Sequence, residues 1–354
     1  MSFSSEICEW YLQHKRDLPW RNTKQAYPIW LSEVMLQQTR VNQALPYYNK
    51  FLKRFPKVCD LANADESEVL KMWQGLGYYS RGRNLHKAAK IICFDLQGIF
   101  PTTFNEIKKL PGIGDYTASA IASFAYQIPV AVVDGNVYRV LSRYLGISTP
   151  INSTEGQKEF KKKATNLLNK NKPDLHNQAI MEFGAMHCTP KKPNCLFCPL
   201  QKKCVAFQLN QVKTLPVKLK KTKVKNLYQH YFIFETNHQK TFVHQRNTEG
   251  IWQNLYVFPN LEYHHQPLLD DVETDFKKKY NLEVSIERFQ KKPTQHLLSH
   301  RKIKAYFWNV KINEKDFKEI QQKHHYQPTN FKEIREFAVP VLIQNFIEAF
   351  ISGD

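Results

Sequence analysis

The chain has 354 residues, 42% of them hydrophobic, and 51 basic against 32 acidic side chains give it a formal net charge of +19. That length exceeds what one compact core usually organises, so two domains are expected, and the hydrophobic content excludes a disordered chain. It contains no apolar run of eighteen residues, no repeat and no low-complexity stretch, which excludes a helical membrane span, a solenoid and a collagen-like rod.

Up to about Phe207 apolar residues recur at spacings of three and four. The segments Trp30 to Val41, Glu66 to Met72, Leu85 to Ile92, Tyr116 to Ala125 and Val137 to Leu145 are therefore expected to be amphipathic helices. In the first of them Glu33, Gln37 and Arg40 share a face with Leu36, which fits either a pocket wall or an exposed helix side. Between Glu155 and Lys225 lie sixteen lysines, no arginine and four acids, a net charge of +12. A polyanion rewards such a patch through counterion release, so nucleic acid is the expected partner. Val212 to Asn226 has no core-forming period and reads as a basic linker. Beyond it the texture turns to strand at Leu227 to Glu235, Thr241 to Gln245 and Ile303 to Val310, with helix patterns at 267–280 and 330–349. The expected organisation is a helical region over 1–211, a linker over 212–226 and an α+β domain over 227–354.

Leu110-Pro-Gly-Ile-Gly-Asp-Tyr116-Thr sits between two helical stretches. Gly112 and Gly114 permit positive φ there, so that successive amides can converge on a phosphate oxygen at the N-terminus of the second helix. Gly-x-Gly alone marks only a tight turn, and its placement after Leu-Pro between helices is the stronger signal. Asp134 stands where the apolar run Val130 to Val133 meets a new helix, a position that an ordinary N-cap aspartate also takes.

Cys188, Cys195, Cys198 and Cys204 occupy seventeen residues, with six, two and five residues between successive thiols. That density predicts a metal site, and four thiolates suit either tetrahedral Zn²⁺ or four cluster irons. The flanking lysines are expected to favour the thiolate forms. Cys8, Cys59 and Cys93 lie outside the pattern and read as ordinary thiols rather than a disulfide framework. The chain opens Met-Ser-Phe-Ser-Ser-Glu-Ile with no basic-then-apolar leader and has an odd cysteine total, which points to a reducing compartment.

Taken in order, Leu18-Pro-Trp-Arg21, Trp30-Leu-Ser-Glu-Val-Met-Leu-Gln-Gln-Thr39, Gly75-Leu-Gly-Tyr-Tyr79, the 110–117 hairpin, Val133-Asp-Gly-Asn-Val137, Met181-Glu-Phe-Gly-Ala-Met186 and the cysteine loop resemble the A/G-specific adenine DNA glycosylases of the MutY type. The likeness is dense over residues 1 to about 207 and looser beyond. It implies a mainly α N-terminal region of helix-hairpin-helix glycosylase domains with an iron–sulfur loop at 188–204, and an α+β Nudix-like C-terminal domain that recognises 8-oxoguanine. It also implies a [4Fe-4S] cluster on Cys188, Cys195, Cys198 and Cys204. The partner it implies is duplex DNA holding adenine opposite 8-oxoguanine or guanine, with no membrane, and a monomer in the cytoplasm of a bacterium, with the nucleoid.

By position, the resemblance makes Glu33 the acid that protonates the flipped adenine and Asp134 the carboxylate that steadies the oxocarbenium-like sugar, a division of labour known from glycosidases. Tyr116 and Asn136 fall around the reacting sugar and water. Trp20, Arg21 and Glu182 fall in the adenine pocket, while Gln38 and Tyr78 enter the duplex. Tyr116 stands where lyase-active relatives carry a nucleophilic lysine, so a monofunctional enzyme is implied. Gln295-His-Leu-Leu298-Ser299-His300 resembles the lesion-reading signature, with Leu298 in place of the usual phenylalanine and Ser299 and His300 at the lesion. No Nudix box follows Trp252, which implies a binding domain without pyrophosphatase activity.

Overall fold

The structure, a computed structural model, describes residues 2–219, 224–298 and 300–351. Two compact units emerge: Met1–Asn63 with Asn84–Lys220, and Ala64–Arg83 with Lys221–Asp354. The segment 64–83 thus packs with the strand-rich part of the chain, although the sequence reading groups it with the helical region. Among the described residues no helix is long and apolar enough to cross a membrane.

The first unit is helical. The helix Ala26–Leu36 is buried on every side from Tyr27 to Met35, as a segment with apolar side chains around its whole circumference must be to leave water. It ends earlier than the expected Trp30 to Val41 element. Leu36 is its last residue, Gln38 adopts left-handed backbone at φ 58°, and the helix Val41–Arg54 then begins with Arg40 as its N-cap. Gln37 and Arg40 therefore do not share a helix face with Glu33. A second core forms where the N-terminal helix Phe3–His14 packs on the helices Gly135–Leu145 and Pro173–Met186 through Phe3, Ile7, Val137, Leu141, Ile180 and Phe183. Cys188 and Cys198 of the cysteine loop pack against this core.

Cys59 and Cys93 are not ordinary thiols. The helix Val58–Asn63 packs against the π-helical turn Ile91–Asp95, and a disulfide joins the two cysteines across 34 residues of sequence, a pairing that spacing alone does not announce. Cys8 is free and half-buried.

The second unit is built on a parallel pair, Lys225–Glu235 beside Arg301–Lys311, in register from Lys225 opposite Arg301 to Glu235 opposite Lys311. Asn260–Tyr263 pairs antiparallel to the first strand, and Thr294–Leu297 and Glu287–Arg288 pair antiparallel to the second. A smaller sheet orders Tyr256–Val257, Lys240–Gln245 and Gln327–Asn330. The helix Leu269–Tyr280 covers one face through Val272, Phe276 and Tyr280 against Phe232, Phe234 and Trp308. The expected helix over 330–349 is instead a strand end, a 3-10 turn at Glu333–Glu336 and a helix only over Val341–Ile351. Pro340 stands at the break, where it has no N–H to carry a helix ladder. Within this unit Tyr79 donates its hydroxyl to Val339 O at 3.2 Å, Lys71 donates to Phe337 O at 3.2 Å, and Gln74 Nε2 donates to Gln344 Oε1 at 2.7 Å.

The hairpin joins the helices Phe104–Lys109 and Asp115–Tyr126. Gly112 has φ +75°, and a Cβ there would lie 2.7 Å from Asn84 Cβ, so both backbone and space demand glycine. Gly114 does not share that conformation. It caps the second helix at φ −93° and a Cβ would meet nothing within 4 Å, so its bare backbone serves no need inside the chain. Gly112→Ala is expected to lower unfolding stability by about 1–3 kcal/mol and Gly114→Ala to change it by less than about 0.5 kcal/mol. Urea unfolding of the two variants checks this, and equal losses would refute it.

Candidate active site

A cavity of about 420 Å³ in the first unit is lined by Trp20, Arg21, Glu33, Tyr116, Asp134, Asn136 and Glu182, with Arg16, Ser32, Arg40 and Arg139 among the other lining residues. Seven residues singled out in the sequence, spread over more than 160 positions, thus face one space. Glu33 and Asp134, 101 residues apart, are both in it.

Glu33 reaches the cavity from the helix Ala26–Leu36, buried from Tyr27 to Met35, and is 4% exposed. Burial pushes its carboxyl up to about 7, and the nearby Asp134 charge adds to the rise. The Tyr116 hydroxyl, donating to Oε2 at 2.6 Å, and the Arg21 guanidinium oppose it. Tyr116 comes from the first turn of the helix behind the hairpin, two residues after Gly114. Burial and the carboxylates of Glu33 and Asp134 hold its phenol well above the usual range, so it stays a donor.

Asp134 is the N-cap of the helix Gly135–Leu145. Its Oδ1 accepts from Val137 N at 2.7 Å and its Oδ2 from Asn136 Nδ2 at 2.7 Å. Capping and cavity lining are therefore not alternatives here, because a carboxylate has acceptor capacity beyond two hydrogen bonds. Burial raises its pKa, against the bonds from Val137 and Asn136 and the Arg139 charge.

Glu182 is the opposite case. At 1% exposure burial alone would raise its pKa, but two guanidiniums outweigh it and hold the carboxyl at about 2. Arg16 donates from Nε at 2.8 Å and Nη2 at 2.7 Å, and Arg21 from Nη1 at 3.0 Å and Nη2 at 2.6 Å. Arg16 was missed in the sequence. It lies in Lys15-Arg-Asp17 outside any quoted motif, and only its place upstream of Leu18-Pro-Trp-Arg21 hints at a second cation. Trp20 is buried edge-on against Tyr48 and serves the core as well as the cavity wall.

Arg139 links this site to the cysteine loop. Its Nη2 donates to Asn136 Oδ1 at 2.8 Å and to Gly184 O at 2.6 Å, and its Nε donates to Cys188 O at 2.7 Å. The helices approach closely at Gly184, where a Cβ would lie 2.7 Å from Asn136 Cβ. Arg143 continues the link, donating to Cys188 Sγ at 3.4 Å and Thr189 O at 2.8 Å, and Cys204 Sγ donates to Arg143 O at 3.4 Å. Burial raises the pKa of Cys195, Cys198 and Cys204, the Cys198 thiol to about 12, and neighbouring thiols of the set add to each rise. The cation that acts on Cys195 is Arg143. Among the described residues no three His, Cys, Asp or Glu side chains form a group able to hold a metal ion.

The remaining candidates do not line the cavity. Gln38 is exposed at left-handed backbone, and Gly112 and Gly114 form the hairpin. Tyr78 belongs to the second unit, 50% exposed and left-handed at φ 48°, with the Arg81 guanidinium 5.5 Å from its ring. A bulky residue with positive φ is uncommon, and Gln38 and Tyr78 both show it. His300 is exposed at the tip of the hairpin formed by Thr294–Leu297 and Arg301–Lys311, where Leu298 N donates to Arg301 O at 2.8 Å. Ser299 lies outside the described residues.

Residues 31–170 match the HhH-GPD superfamily of base excision DNA repair proteins, and residues 230–349 match the NUDIX domain. The adenine DNA glycosylase of Buchnera aphidicola subsp. Schizaphis graminum is 34% identical over 356 residues, 98% of each chain. That of Mus musculus is 44% identical over 227 residues, 61% of this chain and 44% of its own. Among solved structures, a thermostable thymine-DNA glycosylase superposes with a TM-score of 0.55 at 31% identity, covering 58% of this chain and 95% of that one. Agreement that runs through nearly the whole of two chains, helical and strand-rich parts alike, means that this chain belongs to the adenine DNA glycosylase family.

Proposed function

We propose that the cavity receives an adenine extruded from duplex DNA, opposite 8-oxoguanine or guanine, and that the chain hydrolyses its N-glycosidic bond without cleaving the strand. The observation that carries this reading is a buried carboxyl raised to about 7 in the same cavity as a capped, hydrogen-bonded aspartate. Glu33 gives its proton to the adenine ring, the C1′–N9 electron pair leaves with the base, and positive charge develops on the sugar. Asp134 stabilises that charge, held in place by its cap and by Asn136. Water then adds to C1′ and its proton passes to the Glu33 carboxylate, leaving free adenine, an abasic site and a regenerated acid. Glu182, kept ionised, fixes the Arg16 and Arg21 guanidiniums in the wall of the adenine pocket. Tyr116 is no amine and forms no Schiff base, which supports a monofunctional enzyme.

Gly114, whose missing Cβ leaves open space, suits the approach of a DNA phosphate to the first turn of its helix. Gln38 and Tyr78 are assigned to the duplex, and Ser299 and His300 to the base opposite adenine. Four thiols within electrostatic reach of one another fit a [4Fe-4S] cluster, which takes one thiolate per iron and needs no three ligands converging on a point. When bound it would hold the loop rigid, the loop's positive charge coming from its own lysines, and Cys188 is the thiol that Arg139 and Arg143 hold. We assign the protein to the cytoplasm of a bacterium, with the nucleoid, as a monomer.

Asp134→Asn keeps the cap acceptor but loses the charge. Its single-turnover rate of adenine release is expected to fall by at least about 10²-fold with the melting temperature little changed. Intact turnover with a lowered melting temperature would reduce Asp134 to a cap. In the same assay strands should break only after alkali.

Glu33 titrates near 4.5 in the unfolded chain and near 7 in the folded one. Its burial carries no ionisation penalty below pH 4.5, and the penalty grows until the group is ionised above 7. Glu33→Gln is therefore expected to abolish adenine release yet to stabilise the fold at pH 8, by on the order of 3 kcal/mol, and not at pH 4.5. In the parent enzyme kcat/KM should fall as pH rises through about 7. Tyr116→Phe removes a bond that favours the carboxylate, so the fall should move to higher pH. A pH-independent rate, or a Glu33→Gln variant within about tenfold of the parent, would overturn the assignment.

Protein prepared without oxygen should be yellow-brown with about four irons per chain. Stoichiometric zinc without iron would refute the cluster.

A further inference from the structure

In the second unit, Trp252 and Asn254 both hold left-handed backbone, at φ 62° each, in the turn that follows Gly250. Two such residues in one turn persist only where the surroundings fix it. Here Leu255 N donates to Trp252 O at 3.1 Å, Asn254 N to Arg246 O at 2.8 Å and Arg246 N to Leu255 O at 3.0 Å, so the backbone closes on itself at the end of the strand Lys240–Gln245.

Two attachments leave this turn. The Trp252 ring, 7% exposed, packs on His296 with centroids 5.9 Å apart, and His296 belongs to the strand Thr294–Leu297, paired with the strand Arg301–Lys311 that His300 precedes. Gln253 O accepts from Arg83 Nη1 at 2.8 Å, and Asn254 Nδ2 donates to Glu66 Oε1. Glu66 and Arg83 bracket the segment that carries Tyr78, and Arg83 is 9% exposed. One rigid turn therefore holds the hairpin with His300 by one side and the segment with Tyr78 by the other.

We propose that the Trp252–Leu255 turn is a specificity-determining link, through which a base seated at His300 steadies Tyr78 in its duplex-entering position. The proposal rests on the reading of His300 as a lesion contact and of Tyr78 as the inserted residue. 8-Oxoguanine differs from guanine at O8 and N7–H, and only such a difference in contact can bias the hairpin. The turn carries that bias to Tyr78 without touching DNA. Trp252, Asn254, Glu66, Arg83 and His296 are then positioning residues, whose loss lowers the preference for 8-oxoguanine over guanine and leaves the chemistry intact.

The test is single-turnover adenine release by the full chain from duplexes with adenine opposite 8-oxoguanine and opposite guanine. Asn254→Asp sets a carboxylate against that of Glu66, and Glu66→Gln in the same chain restores a donor. Asn254→Asp should lower the ratio of the two rates by about five- to tenfold, with the guanine duplex cleaved within about twofold of the parent, and the double variant should recover. His296→Leu, at the other attachment, should give the same loss, and combining it with Asn254→Asp should add nothing, since both cut one link. An unchanged ratio in His296→Leu, no rescue by Glu66→Gln, or losses that multiply would overturn the link. Tyr78→Ala and His300→Ala separate the two levels. If either leaves both rates unaltered, the underlying reading falls and the link with it; if both slow excision while the turn variants keep the ratio, the link alone falls.

Discussion

The arrangement of the first unit depends on keeping one carboxyl group out of water. Glu33 can be desolvated only because the helix that carries it is buried from Tyr27 to Met35, which requires neighbours on every side rather than on one stripe. The helix behind the hairpin supplies one of these neighbours and, through Tyr116, the hydrogen bond that keeps the buried acid from being pushed higher still. Gly114 stands two residues earlier, at the helix N-terminus. The open backbone at Gly114 and the hydrogen bond to the Glu33 carboxyl are thus set by one turn of helix, and a shift of that turn would move both.

The opposite wall of the cavity has its own support. Asp134 and Asn136 sit at the start of a helix whose Arg139 reaches Asn136, Gly184 and Cys188 at once. A guanidinium offers five donors in a fixed fork, so three carbonyl oxygens on three segments are held at fixed mutual positions. Gly184 is small because two helices must meet there for this to occur. The cysteine loop and the aspartate are therefore one packed object, although no lining residue of the cavity is a cysteine.

The sequence makes legible what depends on local period and residue type. Helices at 66–73, 115–126 and 135–145, the strands at 225–235 and 301–311, and the hairpin between Lys109 and Asp115 all follow from spacing and from glycine and proline. Long-range pairing was not legible. Cys59 meets Cys93 because two elements pack together, and residues 64–83 join the second unit through side-chain bonds such as Tyr79 to Val339 that leave no periodic trace. The break after Leu36 was hidden because Gln37, Gln38 and Thr39 continue a helical-looking pattern, while the backbone turns left-handed at Gln38. Arg16 escaped because a salt-bridged arginine looks like any surface arginine until its buried partner is known.

Two glutamates in one cavity show why residue type alone does not assign roles. Glu33 and Glu182 are both almost fully removed from water, yet one is raised to about 7 and the other held at about 2. The difference lies in what each meets on leaving solvent. Glu33 finds a neutral phenol and another carboxylate, so its lowest-energy state up to neutrality is protonated. Glu182 finds two guanidiniums in bidentate geometry, so it stays ionised across the whole physiological range. A carboxyl that keeps its proton up to neutrality and a carboxylate that stays ionised are thus made from the same side chain, and the surroundings alone separate them.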